Sequence, residues 1–190
     1  MNIQKFAAIV LIVGSILFQV AAFSPISLAF FTERNVARRM EIVLNDQRAW
    51  TVSQIFFALG AIVTAVGIGL AAYYLRKLPG SGLAYLGSAA ILIGAALWAW
   101  HVFLRAVDAT AFVEGLLPAW PFIVYTFLTQ AGLAAVGFML LRSEMPGWIG
   151  WTVIGGVVLL FLLYLLLKDV PPFLYYILTF LMGLAMIRSG

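Results

Sequence analysis

His101, Arg105 and Asp108 are the residues of this sequence best placed to act on a proton or a charge. They stand at i, i+4 and i+7, so a helix would carry all three on one face. Imidazole is the side chain whose charge changes near pH 6.5, so the triplet could form a proton-responsive cluster at an outer interface. The plainer expectation is an imidazole beside an Arg105–Asp108 pair that anchors a surface helix. A metal or haem site is not expected, because the chain has one histidine and no cysteine. Zinc takes three or four ligands, and membrane haem b commonly uses paired histidines. No cofactor is therefore expected.

Gln19 and Gln130 are the most polar residues near the mid-depth of their apolar stretches. An amide in hydrocarbon is costly unless paired, so both should face a bundle interior. They are expected to bond to each other, or to contact a small-molecule ligand together with Tyr125 or Thr126. Neither amide can transfer a proton near neutral pH. Motif searches for catalysis return nothing: Gly-x-Ser-x-Gly, His-Glu-x-x-His and the phosphate-binding Gly-x-x-x-x-Gly-Lys are all missing. No paired acids and no lysine fall inside the apolar stretches, which argues against an intramembrane aspartyl mechanism, retinal binding, ion pumping and voltage sensing. A lipid-modifying role for His101 lacks an acid/base partner. The expectation is a protein that is not an enzyme.

The elements that must position these residues follow from composition. Of 190 residues, 65% are hydrophobic and 9% charged, whereas a soluble domain carries about 25% charge. This chain cannot cover a globular surface with polar groups, so an integral membrane protein is expected. A hydrocarbon core about 30 Å thick needs about 20 apolar residues per helix. Breaks at Pro79-Gly80, Gly115, Pro146-Gly147 and Pro171-Pro172 predict an all-α bundle of six transmembrane helices, over about 6–31, 51–75, 82–104, 119–141, 148–167 and 172–187. Lys5, the apolar run and Val20-Ala21-Ala22 look like a signal peptide. The run continues for nine residues past Ala22, however, so helix 1 is expected to be retained and bent at Pro25. Lys168 and Asp169 are assigned to the last turn.

Residues 32–49 form the one substantial polar stretch. Val36, Met40, Val43 and Leu44 share a helical face. A short amphipathic helix on the outer membrane surface is expected between helices 1 and 2, with Thr32 as N-cap and Glu33 in its first turn. Trp50, Trp100, Trp120, Trp148 and Trp151 fall at helix ends, as interfacial rings do.

Sorting charges sets the orientation. Lys5, Arg76, Lys77, Arg142 and Arg188 gather on one side in short turns with Glu144. Arg34, Arg38, Arg39, Arg48, Arg105 and Lys168 gather on the other with six acids. Short basic turns mark the cytoplasmic side, so both termini are expected there, with all 18 charges at helix ends, in turns or in the outer loop. No basic run invites nucleic acid. Small residues recur at helix-packing spacing, with Ala61, Ala65 and Gly69 in helix 2 and Gly87 and Gly94 in helix 3. They let helices approach closely, within one bundle or against another membrane subunit.

The run Leu141-Arg142-Ser143-Glu144-Met145-Pro146-Gly147-Trp148-Ile149-Gly150-Trp151, the later Pro171-Pro172, and Trp50 with Gly94 to Trp98 resemble a broad group of uncharacterised bacterial six-helix membrane proteins, defined as a domain of unknown function. The resemblance implies a bacterial inner-membrane location and transfers no catalytic residue. The functional expectation is an accessory or scaffold subunit of a larger membrane complex. The alternative is a binder or carrier of a small molecule in an aromatic and amide-lined cavity.

Overall fold

The computed structural model describes residues 2–167 and 170–189, so the turn assigned to Lys168 and Asp169 lies outside the described residues. Among those residues there are nine α-helices and no strand. They are α1 (Ile3–Ala22), α2 (Pro25–Thr32), α3 (Val36–Asn45), α4 (Gln47–Tyr74), α5 (Gly82–Val107), α6 (Ala109–Val113), α7 (Trp120–Leu141), α8 (Gly147–Leu167) and α9 (Phe173–Arg188). Five of them, α1, α4, α5, α7 and α8, are long and apolar enough to cross a membrane, and α9 is apolar but shorter. At about 1.5 Å per residue, the 28 residues of α4 extend about 42 Å and the 16 of α9 about 24 Å, on either side of the about 30 Å hydrocarbon thickness. The fold is thus all-helical, with five to six apolar helices compatible with a multi-pass membrane protein.

Local chemistry sets the breaks, and several differ from expectation. The first apolar run does not bend at Pro25 but stops at Phe23 and restarts. Ser24 Oγ accepts the Ser27 N–H at 3.3 Å and donates to the Ala21 carbonyl at 2.9 Å, and Pro25 opens α2. Thr32 is not the cap of the amphipathic helix. It ends α2, and its hydroxyl donates back to the Leu28 carbonyl at 2.6 Å. Asn35 caps α3 instead, accepting the Arg38 N–H at 3.2 Å. Glu33 turns the chain between them by accepting N–H bonds from Asn35 and Arg34, which hold its carboxyl below the usual range. Asp46 then caps α4 by accepting from Ala49, so α4 begins at Gln47, four residues before the expected start.

The long helices form a closed ring in chain order, α1–α4–α5–α7–α8–α9, with α9 packing back on α1. In α1, Ala7, Ala8, Leu11, Gly14, Ser15 and Phe18 face the interior. Ile9, Val13, Ile16 and Val20 face outward at i, i+4, i+7 and i+11. A helix apolar on both faces belongs in a lipid-like surrounding. Close approach needs glycine at several seams, two of which show it plainly. A Cβ on Gly60 would lie 2.6 Å from the Phe18 backbone nitrogen, and one on Gly87 would lie 2.8 Å from the Gly132 carbonyl oxygen. The small residues singled out by spacing pack within the chain: Ala61 and Ala65 are buried, Gly94 meets α7, and Gly69 meets Ser88 of α5.

A second, smaller core caps one end of the ring. Phe30 of α2, Val43 of α3, Trp50 of α4 and Val113 of α6 form it, with Met40 against them. The expected apolar face of α3 is split, because Val43 is buried while Val36 and Leu44 are half exposed. Trp50 is no interfacial ring either. It is 1% exposed, and its indole N–H donates to the Arg105 carbonyl at 2.9 Å. Trp100, Trp120, Trp148 and Trp151 are exposed, Trp120 and Trp148 in the first turn of α7 and α8 and Trp100 two turns inside the end of α5.

Candidate functional site

Beneath that cap, α5 presents Trp98, His101 and Arg105 at i, i+3 and i+7, a single inward face. The residues at this end leave a cavity of about 580 Å³, within the about 300–1,000 Å³ range of small-molecule sites. Phe18 of α1, Phe31 of α2, Phe57 of α4, Phe112 of α6, Phe122 of α7 and Phe173 of α9 line it beside the α5 residues. Among the described residues its lining includes one formal charge, Arg105, and no acid.

Arg105 is 3% exposed. Its guanidinium carbon lies 4.2 Å from the Phe112 ring centre, 5.4 Å from Phe31, 5.5 Å from Trp50, 5.8 Å from Trp98 and 5.9 Å from Phe57. Each cation–π contact is worth about 0.5–2 kcal/mol, whereas removing an ion from water costs several kcal/mol even after relaxation. The rings offset that cost only in part, because they offer no acceptor to the N–H groups. Among the described residues, Nε and Nη2 are buried and have no hydrogen-bond partner, and neither do Nδ1 of His101 or Nε1 of Trp98. All three residues line the one cavity, with these nitrogens buried in its wall.

The expected Arg105–Asp108 pair does not form. Asp108 ends α5, and its carboxylate accepts the Ala111 N–H at 2.9 Å as the cap of α6. The one ion pair among the described residues is Arg38–Glu33 at 3.9 Å. His101 sits where the spacing put it, 7% exposed, with its ring 6.0 Å from Trp98 and 6.4 Å from Phe122. Arg105 lies at a helix end as anticipated, but its side chain turns inward instead of reaching for the interface. A single imidazole cannot complete a metal site, and no group of three potential ligands exists among the described residues. The chemistry this set can perform is to donate hydrogen bonds to an anion.

The amides do not pair with each other. Gln19 Nε2 donates to the Phe173 carbonyl at 3.0 Å, and Gln130 Nε2 donates to Tyr175 Oη at 2.8 Å. Tyr125 Oη donates to Tyr176 Oη at 3.1 Å, and Thr126 is buried beside them. Ser15 and Thr179 share a further hydrogen bond of 2.8 Å, so the mid-bundle polar groups converge on α9. The free space bordered by Tyr125, Thr129, Tyr175 and Tyr176 is about 10 Å³, about enough for one water. None of Gln19, Gln130, Tyr125 or Thr126 lines the larger cavity.

Spacing could have revealed Trp98, since it shares the face of His101 and Arg105. No local signal marks Phe18, Phe57, Phe122 or Phe173, which come from four other helices. Compared with protein-family models, with curated proteins and with solved structures, the chain matches none.

Proposed function

We propose that this chain is a non-catalytic membrane protein that binds or carries a small anionic molecule in the aromatic cavity. One observation carries the reading: Arg105 lines the cavity, and its Nε and Nη2 are buried there without a partner among the described residues. A buried donor left unmet costs about 1–3 kcal/mol, and more when charged. A bound anion would satisfy both the donors and the charge. Trp98 Nε1 supplies a further donor nearby, and His101 Nδ1 one more wherever that nitrogen carries the proton. In this reading α9 completes a sixth span. Both termini lie in the cytoplasm of a bacterial cell, and the cavity sits in the outer half of its inner membrane, beneath α2, α3 and α6.

An accessory or scaffold role in a larger complex has no comparable feature behind it. The small-residue stripes that could have served an intersubunit face are used inside the bundle, and the remaining exposed apolar faces suit lipid equally well.

Thermal unfolding of the detergent-solubilised chain tests the proposal with acetate, benzoate, inorganic phosphate and oleate. At least one anion should raise Tm saturably, by an amount corresponding to about 2.7 kcal/mol at 100 times its Kd. Arg105→Gln should abolish that response. A wild-type Tm that no anion raises, or an equal rise in the variant, would reject it.

A further inference from the structure

We infer that the ligand is an amphiphile, a singly charged oxyanion head on a hydrocarbon chain, which enters the cavity sideways from the bilayer. The inference rests on the anion-binding reading above and adds the ligand's class and route. The head follows from the atoms left unmet. Nε–H and Nη2–H lie side by side on one edge of a planar guanidinium, the fork that takes two oxygens of one carboxylate or phosphate group. These are the two buried Arg105 nitrogens without partners. The charge is also set. With one cation and no acid among the described residues of the wall, a carboxylate or phosphodiester is neutralised, whereas a phosphomonoester, at about −1.5 to −2, leaves surplus charge among aromatic rings.

The chain follows from the rest of the wall. Twelve of the sixteen described lining residues are apolar, the exceptions being Ser27, Thr32, His101 and Arg105. A small hydrophilic anion would leave that surface uncovered, while a hydrocarbon chain covers it. The route follows from the rim. Phe23, Leu28 and Phe31 line the cavity yet are 54%, 44% and 49% exposed, so the same side chains face both the cavity and the outside of the bundle. Phe23 meets Phe173 edge-on at 5.4 Å, which places this rim between the end of α1 and the start of α9. In this reading the apolar rings of that seam face hydrocarbon, and Leu28 and Phe31 of α2 border it.

Equilibrium binding of radiolabelled oleate to the full chain in phosphatidylcholine nanodiscs, with empty nanodiscs as background, provides the test. Saturable binding of about one oleate per chain is expected. Unlabelled oleate or phosphatidylglycerol should displace it, and which of the two does so better separates a free carboxylate from a phosphodiester lipid. Methyl oleate, which keeps the chain and loses the charge, should compete at least tenfold less well, as should acetate and inorganic phosphate. Arg105→Gln should weaken oleate at least tenfold. The wild-type competition pattern stands as evidence even if that variant misfolds. Displacement by acetate or phosphate as effective as by oleate overturns the amphiphile and leaves the anion site standing. Equal displacement by methyl oleate overturns both. Failure of oleate to bind saturably overturns the amphiphile alone when acetate, benzoate or phosphate still raises wild-type Tm, and overturns both readings when no anion does.

Discussion

Gln19 and Gln130 are held by different acceptors, the Phe173 carbonyl and the Tyr175 hydroxyl, although both bonds tie another helix to α9. Interhelical hydrogen bonds in membranes average about 0.6 kcal/mol and reach about 1.7. Gln19→Leu and Gln130→Leu should each destabilise by about that much in a denaturant titration. The double variant should show the sum, with a coupling below about 0.5 kcal/mol. A larger coupling would mean that the amides communicate directly. That they turn inward was legible, because hydrocarbon penalises an exposed amide. Their partners were not, because Tyr175 is indistinguishable in sequence from a tyrosine anchored at an interface. Arg105 shows the same limit. An arginine one turn from a helix end ordinarily reaches out to water. Its inward turn depends on Phe31, Trp50, Phe57 and Phe112, which no local window contains together.

At the scale of elements, turn chemistry was read more faithfully than packing. Pro79-Gly80, Gly115 and Pro146-Gly147 each mark a break between long helices, and Gly80 and Gly115 adopt the positive φ of 80° and 74° that favours glycine. The break at Ser24-Pro25 was underestimated, because proline inside an apolar run reads as a kink until a serine cap is seen beside it. The small residues of α4 were recognised by spacing, but the partner of each was not. The α1–α4 seam makes the consequence measurable. Gly60 lies against the Phe18 backbone, where no rotamer change can make room. Gly60→Leu should therefore lower stability by about 1–3 kcal/mol or more. It should also displace Phe18, which stacks on Tyr176 at 3.6 Å and lines the cavity. Gly82→Leu, with nothing within 4 Å of its Cβ, serves as the control and should cost only its surface effect. Equal losses in the two variants would count against a seam built on close backbone approach.

For the whole molecule, the parity of spans decides which side of the membrane each end occupies. Composition alone pointed to a bilayer, and the closed ring shows how α9, despite its length, packs with the longer helices. It packs along α1, and Gln4 Nε2 donates to the Met186 carbonyl at 2.8 Å, pinning the last turn of α9 beside the first turn of α1. If α9 crosses with the other five, Lys5 and Arg188 lie on one side and Glu41 of α3 on the opposite side. If α9 does not cross, the number of spans is odd and the two ends of the chain separate. The absence of native cysteine makes the question directly measurable, because every label reports an introduced residue. Lys5→Cys, Arg188→Cys and Glu41→Cys replace exposed side chains. Each can be expressed separately in intact cells and treated with a membrane-impermeant maleimide. Glu41→Cys should label from outside, and Lys5→Cys and Arg188→Cys only after the cells are opened. Labelling of Arg188→Cys but not Lys5→Cys in intact cells would reduce the bundle to five spans. Outside labelling of both ends with protection of Glu41→Cys would keep six spans and reverse them. The cavity beneath α2 and α3 would then belong to the cytoplasmic half of the membrane, where an anionic amphiphile would have to enter from the inner leaflet.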